Sequence, residues 1–395
     1  MIKSLAIKNF RSLADFEVAK LGRVNLIVGK NNSGKSSVLE ALRIYAANGQ
    51  RSLLEKIASG HDEKFRLSDS EIEESDVAFP FEDFFTGRKF PTNDDTMIVI
   101  GESISSDLAL RIEHGLYVES SSSITELDKE TRTQIHRRRV KKTEDRILVA
   151  IEEGTPIDAL YVSKGERTTA SRLDERNSRI RGSIDLPGSI ACSVIPTQFV
   201  SVDELADEWD KIGLTKDKQI VIDALKIIAP EFEELMFVKR DDSYSNARMS
   251  LGINRDRLSR TAMLRLSNFP RPVPLNSLGD GMLRILQLVL KIFPARGGFL
   301  LIDEFENGLH YAVQEKVWDL LFELANKLDI QVFATTHSWD CIESFAKVAV
   351  DRKDIEGVLF RVGKSVRTSD RDRVIATVFD EDQLFNITQS DVEVR

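Results

Sequence analysis

Apolar and polar residues alternate through "SLAIKNF", a period of two that predicts a half-buried strand. A second strand is predicted at "RVNLIVG", where a β-rich run ends on glycine. The period then changes to that of a helix: in "KSSVLEALRIYA", Val38, Leu39, Leu42 and Tyr45 share one stripe, with Ser36 and Ser37 at its start. Residues 50 to about 95 are polar and acidic with scattered aromatics, whereas 97–118 and 146–163 alternate as strands do. Between those strands, the four serines 120–123 read as a loop tip; farther on, 203–229 reads as helical, with Ile220, Ala224, Leu225 and Ile228 at core spacing. Pro270, Pro272 and Pro274 stiffen an extended approach to the C-terminal part. There "MLRILQLVLKIF" reads as a helix, "GGFLLIDEF" as a buried strand ending in acids, "VQEKVWDLLFELANKL" as a helix and "IQVFATTHS" as another strand. Strand and helix thus alternate at both ends of the chain. The expectation is an α/β fold in which residues 1–50 and 261–395 share one mainly parallel sheet, interrupted by a mixed α+β insertion over 51–260. No heptad is sustained between residues 36 and 277, which argues against a long coiled-coil arm, and no internal repeat is found.

Composition changes this picture little. The 395 residues are 42% apolar, enough for a sizeable core. A formal charge of −9 argues against coating nucleic acid with the whole surface. A local exception is "RTQIHRRRVKK" (132–142), where Arg137, Arg138, Arg139, Lys141 and Lys142 form either a solvated strand or loop, or a set of phosphate contacts. Cys192 and Cys341 are isolated and lack metal spacing, which fits a reducing, cytoplasmic setting. The apolar runs are too short to span a bilayer, so no membrane partner is expected.

Three strand ends carry candidate chemistry. "GKNNSGKSS" matches GxxxxGK[ST] between a predicted strand and a predicted helix, the context a phosphate-binding loop requires. Gly29 and Gly34 permit the tight loop, Lys35 is expected to reach the β- and γ-phosphates of ATP, and Ser36 to ligate Mg²⁺. Asn31, Asn32, Ser33 and Ser37 are expected to line the same cradle. In "FLLIDEFENGLH" a buried strand delivers Asp303, expected to hold Mg²⁺ mainly through coordinated water, and Glu304, placed to polarise a water attacking the γ-phosphate. His337 ends "QVFATTHS" and is positioned to stabilise charge beside that phosphate. A second anion site is expected at "LNSLGDGMLR", where Ser277 offers a side-chain donor and Gly279 allows close backbone approach at a helix start. An ordinary N-cap by Asn276 or Ser277 is compatible with it.

In this order the motifs resemble an ABC-type ATPase head of the SMC, Rad50 and RecF class: "IKNFRSL", "GKNNSGKS", the signature stretch "SLGDG", "LLIDE", a D-loop-like "ENGLH" and the switch "TTHS". Within it, "SLGDGMLR" with "DEFENGLH" is similar to the ATPase domain of OLD-family proteins and of standalone ATPases in bacterial antiphage systems. The resemblance implies a homodimer or higher homo-oligomer in which two heads sandwich two ATP molecules, so that Ser277 and Gly279 act on the partner's nucleotide. It also implies that Arg11 approaches the phosphates, that Asn307 and His310 lie at the dimer seam, and that Gln198 is a candidate for the Q-loop glutamine. Leu278 and Asp280 depart from the common LSGGQ signature. Full-length OLD proteins continue into a TOPRIM nuclease domain, for which too little chain follows His337. The expectation is therefore an ATPase that senses a trigger, DNA or a phage protein, and controls a separate effector such as a TOPRIM-like nuclease or a toxin. A RecF-like DNA-repair ATPase and an ATP-binding interaction module without turnover are the alternatives; a transporter ATPase is disfavoured by the long separation of phosphate loop and signature.

Overall fold

A computed structural model describes residues 1–61, 80–93, 96–125, 131–141, 149, 155–173, 186, 188–239, 260–367, 372–379, 383, 384 and 386. The N-terminal alternation becomes an antiparallel hairpin of Leu5–Phe10 (β1) and Leu13–Val18 (β2), in the register Leu5↔Val18. Val24–Val28 (β3) is buried at every position and leads through the glycine-rich loop into Lys35–Ala46 (α1), followed by Arg51–Gly60 (α2). Next come Ile98–Gly101 (β4), Leu110–Thr125 (β5), Thr131–Val140 (β6), Ile157–Lys164 (β7), Arg167–Arg172 (β8) and Cys192–Ile195 (β9). Two helices, Val202–Ile212 (α3) and Lys218–Leu225 (α4), precede the strands Phe232–Lys239 (β10), Arg260–Leu266 (β11) and Val273–Pro274 (β12). After a 3-10 turn at Leu275–Leu278 follow Asp280–Ile292 (α5), Phe299–Ile302 (β13), Tyr311–Lys327 (α6), Gln331–Thr336 (β14), Trp339–Asp351 (α7), Gly357–Lys364 (β15) and Val374–Phe379 (β16).

Among the described residues the central sheet runs β16-β15-β3-β14-β13-β9, parallel at every pair except β15–β16. β3, β13 and β14 are buried at every position because both faces of the sheet's centre are covered. Phe299, Leu301, Ile27 and Phe333 point into a core shared with α1 and the β1–β2 hairpin. Their neighbours Leu300, Ile302, Leu26 and Val332 point into a second core with α5, α6 and α7. Residues 51–260 contribute to more than one sheet: β4, β5, β7 and β8 extend the antiparallel sheet begun by β2 and β1, β6 pairs with β5, and β9 joins the central sheet beside β13. Two buried amides connect these layers. Asn25 on β3 donates to the carbonyls of Gly22 (2.9 Å) and Val332 (3.0 Å), and Gln331 donates to those of Ile2 and Gly22, each at 2.8 Å.

Several elements differ from the periodicity. The serines 120–123 are not a loop tip; they continue β5 and pair with Thr133–His136 of β6, so the reversal lies farther on. The helix expected over 203–229 is two helices, because Gly213 ends α3 and the turn residues 213–217 redirect the chain. Ser201 caps α3 by accepting from the Glu204 N–H at 3.2 Å, a local start signal of Ser followed three residues later by Glu. Of the strand expected over 146–163, the described part begins only at Ile157, while Val149 is helical. Both cysteines are free thiols, and no helix among the described residues is long and apolar enough to cross a membrane.

Candidate functional site

The parallel register places the carboxyl ends of β3, β14, β13 and β9 side by side, with Val28 opposite Thr336, and Ile302 opposite both Ala334 and Ile195. Open α/β sheets bind ligands at this edge. From β3 the chain turns at Gly29, where φ is +153° and an added Cβ would lie 2.3 Å from the Val362 carbonyl oxygen and 2.8 Å from Ser33 Oγ. Only glycine fits. Asn31 and Asn32 are exposed, Ser33 is buried, and Gly34, at φ +106°, precedes α1. No side chain caps α1 and its first turn holds no acid, so its leading N–H groups are available to an anion. Lys35 Nζ donates to the carbonyls of Gly29 (2.7 Å) and Lys30 (3.0 Å). Burial pushes its pKa down, against the opposing pull of Asp303, Glu306 and Glu304. The lysine therefore lies within electrostatic reach of the acids that follow β13, two strands away in the sheet. The Ser36 hydroxyl stands on the exposed side of the first turn and Ser37 is half-buried.

Beyond β13, Asp303 is held at both carboxylate oxygens: Thr335 Oγ1 donates to Oδ1 at 2.7 Å and Thr197 Oγ1 to Oδ2 at 3.1 Å. Glu304 adopts φ +48°, uncommon for a residue with a side chain, and its N–H donates to Thr335 Oγ1 at 2.9 Å. His337 follows β14. Its Nδ1 lies 3.1 Å from Glu306 Oε1 and 3.8 Å from Glu304 Oε1, and its backbone N–H donates to the same Glu306 oxygen at 3.0 Å. Behind them Phe305 stacks on Trp318 with ring centroids 3.8 Å apart, fixing the loop to α6. The lysine, both acids and the histidine thus meet along one edge, as does Gln198, exposed just beyond the end of β9.

Other residues lie elsewhere or are already engaged. Arg11 sits at the β1–β2 turn with φ +49°, its Nε 2.8 Å from Glu40 Oε2 and its guanidinium over the Phe84 ring. Asn307 donates to the Thr197 carbonyl at 2.5 Å within its own chain, and His310 caps α6 by accepting from the Ala312 N–H at 3.3 Å. Neither Asn276 nor Ser277 caps the signature helix: Gly279 holds the N-cap position at φ +87° without a side-chain bond, and Ser277 Oγ donates to the Pro274 carbonyl at 2.6 Å. A Cβ added to Gly279 would meet nothing within 4 Å, so this turn faces open space. Arg284, one turn into α5, was not singled out by the motifs. It is fully buried and donates to the backbone carbonyls of Pro196, Asp303 and Glu304. A cation inside the apolar stripe "MLRILQLVL" was the available signal. Thr335, Thr197 and Glu306 were likewise missed; each stands beside a motif residue in sequence or joins one only through strand pairing.

The N-terminus of α1, the tight glycine loop and the Lys35–Asp303–Glu304 grouping fit a nucleotide polyphosphate with its metal ion. A parallel sheet edge that carries a phosphate loop and strand-end acids is that of a P-loop ATPase, and the chain is an ATPase. Residues 24–340 match the family described as "AAA domain, putative AbiEii toxin, Type IV TA system", and the chain belongs to that family. It is 22% identical over 360 residues to an ATP/GTP phosphatase of Helicobacter pylori, covering 88% of each chain. Over 44 residues it is 48% identical to the DNA double-strand break repair Rad50 ATPase of Archaeoglobus fulgidus, covering 11% of this chain and 5% of that one. Among solved structures it is similar to the SMC head domain from Thermotoga maritima, at 13% identity and a TM-score of 0.40, covering 96% of this chain and 99% of that one.

Proposed function

We propose that the chain is a dimerising, ATP-driven switch whose two heads close over two nucleotides and thereby control a separate effector protein. One observation carries this reading. The uncapped start of α5 faces open space at Gly279, and Arg284 ties α5 to the ends of β9 and β13, whereas the phosphate loop and Lys35 follow β3, on the far side of β14. A helix start stabilises phosphate charge only within about one turn. The signature therefore needs a nucleotide brought to it, and a second copy holding ATP on its phosphate loop supplies one.

In this mechanism the α1 N-terminus and Lys35 bind the β- and γ-phosphates, Lys35 exchanging the carbonyls of Gly29 and Lys30 for phosphate oxygens. Ser36 and Asp303 are the residues to hold Mg²⁺, which when bound neutralises phosphate charge. Thr335 and Thr197 keep the Asp303 carboxylate fixed for that task. Glu304 orients and deprotonates the attacking water, and His337, clamped by Glu306, contacts the γ-phosphate. The family description, with its toxin of a type IV toxin–antitoxin system, supports an effector context, and the OLD-like wording of the signature supports antiphage defence within it. For the DNA-repair alternative the basic stretch is the main feature. Arg139 there is paired with Glu113 and lies over the Tyr161 ring, while Lys142 and the side chain of Arg137 lie outside the described residues.

Turnover is tested by two variants. Glu304→Gln is expected to keep ATP affinity and to lose at least about a hundredfold in hydrolysis, whereas Lys35→Ala weakens binding itself. Nucleotide titration and steady-state hydrolysis separate them, and a Glu304→Gln protein with normal turnover would remove Glu304 from its role.

A further inference from the structure

We propose that Arg284 is a positioning residue that couples the signature helix to the water-orienting glutamate of its own head; the coupling rests on the sandwich reading above. The guanidinium leaves α5 one turn after Asp280 and donates to the carbonyls of Pro196 at 3.0 Å, Asp303 at 3.0 Å and Glu304 at 2.7 Å. Pro196 immediately precedes Thr197, which holds Asp303 Oδ2. One side chain thus joins α5 to the ends of both β9 and β13.

The grip on Glu304 matters most, because its φ of +48° is sparsely populated by residues with a Cβ and persists only where the surroundings enforce it. The N–H of that residue is held by Thr335, on a central strand of the sheet. Its carbonyl accepts from Arg284, on the helix whose N-terminus would close on the partner's nucleotide, and from the Asn307 N–H at 3.1 Å, while the Phe305 N–H of the same peptide group donates to the Thr335 carbonyl at 3.0 Å. β14 and α5 therefore converge on one strained residue, and only α5 moves with the signature. A shift of α5 on closure moves the Glu304 carbonyl against the fixed N–H, which redirects the carboxylate. Nucleotide captured in trans is thereby felt by the glutamate in cis. Burial pushes the Arg284 pKa down to about 10, which still leaves it charged at neutral pH. An apolar side chain of similar volume would avoid the desolvation cost of that charge. The planar fork is what reaches three carbonyls at once, and a lysine ammonium lacks that geometry.

Arg284→Lys and Arg284→Met are the test, each measured for thermal unfolding, nucleotide affinity, ATP-driven dimer closure by mass, and the separate kcat and KM of hydrolysis. The Lys variant is expected to bind nucleotide within about threefold of wild type and to close with ATP, while kcat falls about tenfold or more at unchanged KM. The Met variant is expected to lose more turnover than the Lys variant. A folded Lys variant with near-normal kcat overturns the proposal, as does one whose affinity, closure and turnover fall together; the Lys variant decides the matter even where Met prevents folding. Should Ser277→Arg leave closure and turnover intact, the sandwich reading fails, while the kcat of the Arg284 variants still reports on the hold over Glu304.

Discussion

Gly29 and Gly279 need to be glycine for different reasons, and the difference predicts different variants. At Gly29 a methyl group would run into the backbone of β15, 2.3 Å from the Val362 oxygen, in addition to the strain of φ +153°. Backbone cannot swing aside as a side chain can. Gly29→Ala is therefore expected to cost roughly 2–6 kcal/mol and to abolish nucleotide binding. At Gly279 a methyl group would enter open space, so only the backbone conformation at φ +87° resists it. Gly279→Ala is expected to cost about 1–3 kcal/mol, to spare nucleotide affinity, and to lose hydrolysis through a displaced signature turn. Thermal unfolding alongside nucleotide titration checks both; equal loss of affinity in the two variants would contradict the assignment of Gly279 to a partner's nucleotide.

At the scale of elements, one hydroxyl on β14 reaches both acids that follow β13. Thr335 Oγ1 donates to Asp303 Oδ1 and accepts from the Glu304 N–H, so a single side chain on one strand orients both acids of the next. Thr335→Val leaves that N–H without its acceptor, at a cost of about 1–3 kcal/mol. The expected outcome is a lower unfolding temperature and a severalfold higher Mg²⁺ requirement for hydrolysis, with nucleotide affinity in the absence of Mg²⁺ preserved. A magnesium titration of the variant checks this, and an unchanged requirement would separate Thr335 from the metal site. The signature helix depends on its surroundings too: Lys291 of α5 pairs with Glu204 of α3, and Arg296 just beyond it donates to Asp217 at 2.8 Å. These contacts tie the end of α5 remote from the signature to the α3–α4 layer.

At the scale of the whole molecule the prediction concerns two copies. Ser277→Arg should block closure by bulk and misplaced charge while sparing ATP binding in the same chain, because the phosphate loop lies at the other site. Mixed with Lys35→Ala, it forms heterodimers with one composite site intact and one doubly damaged. Activity is expected to return to a substantial fraction of the wild-type rate once heterodimers are confirmed by mass. If confirmed heterodimers stay inactive while wild type paired with the double variant is active, the signature works in cis.

The chemistry of each strand end was legible in the residues themselves. A phosphate loop is a contiguous motif, and the runs ending in Asp303–Glu304 and in His337 are single buried strands, so local periodicity suffices to place them. The alternation of strand and helix at both ends of the chain carried the α/β class, and the resemblance to ABC-type heads then assigned roles to the parts. Helix breaks and strand lengths were less legible: α3 and α4 are separated by a turn that an apolar stripe does not register, and the serines 120–123 are strand because β6 pairs with them. Tertiary structure alone decided that Thr197, Thr335 and Arg284 converge on the two acids, that Arg11 is held by Glu40, and that β9 stands beside β13. The reason is range. Periodicity and motifs report what neighbours in the chain require, whereas a hydrogen bond between residues 106 positions apart, as between Thr197 and Asp303, exists only once the parallel strands have found their register.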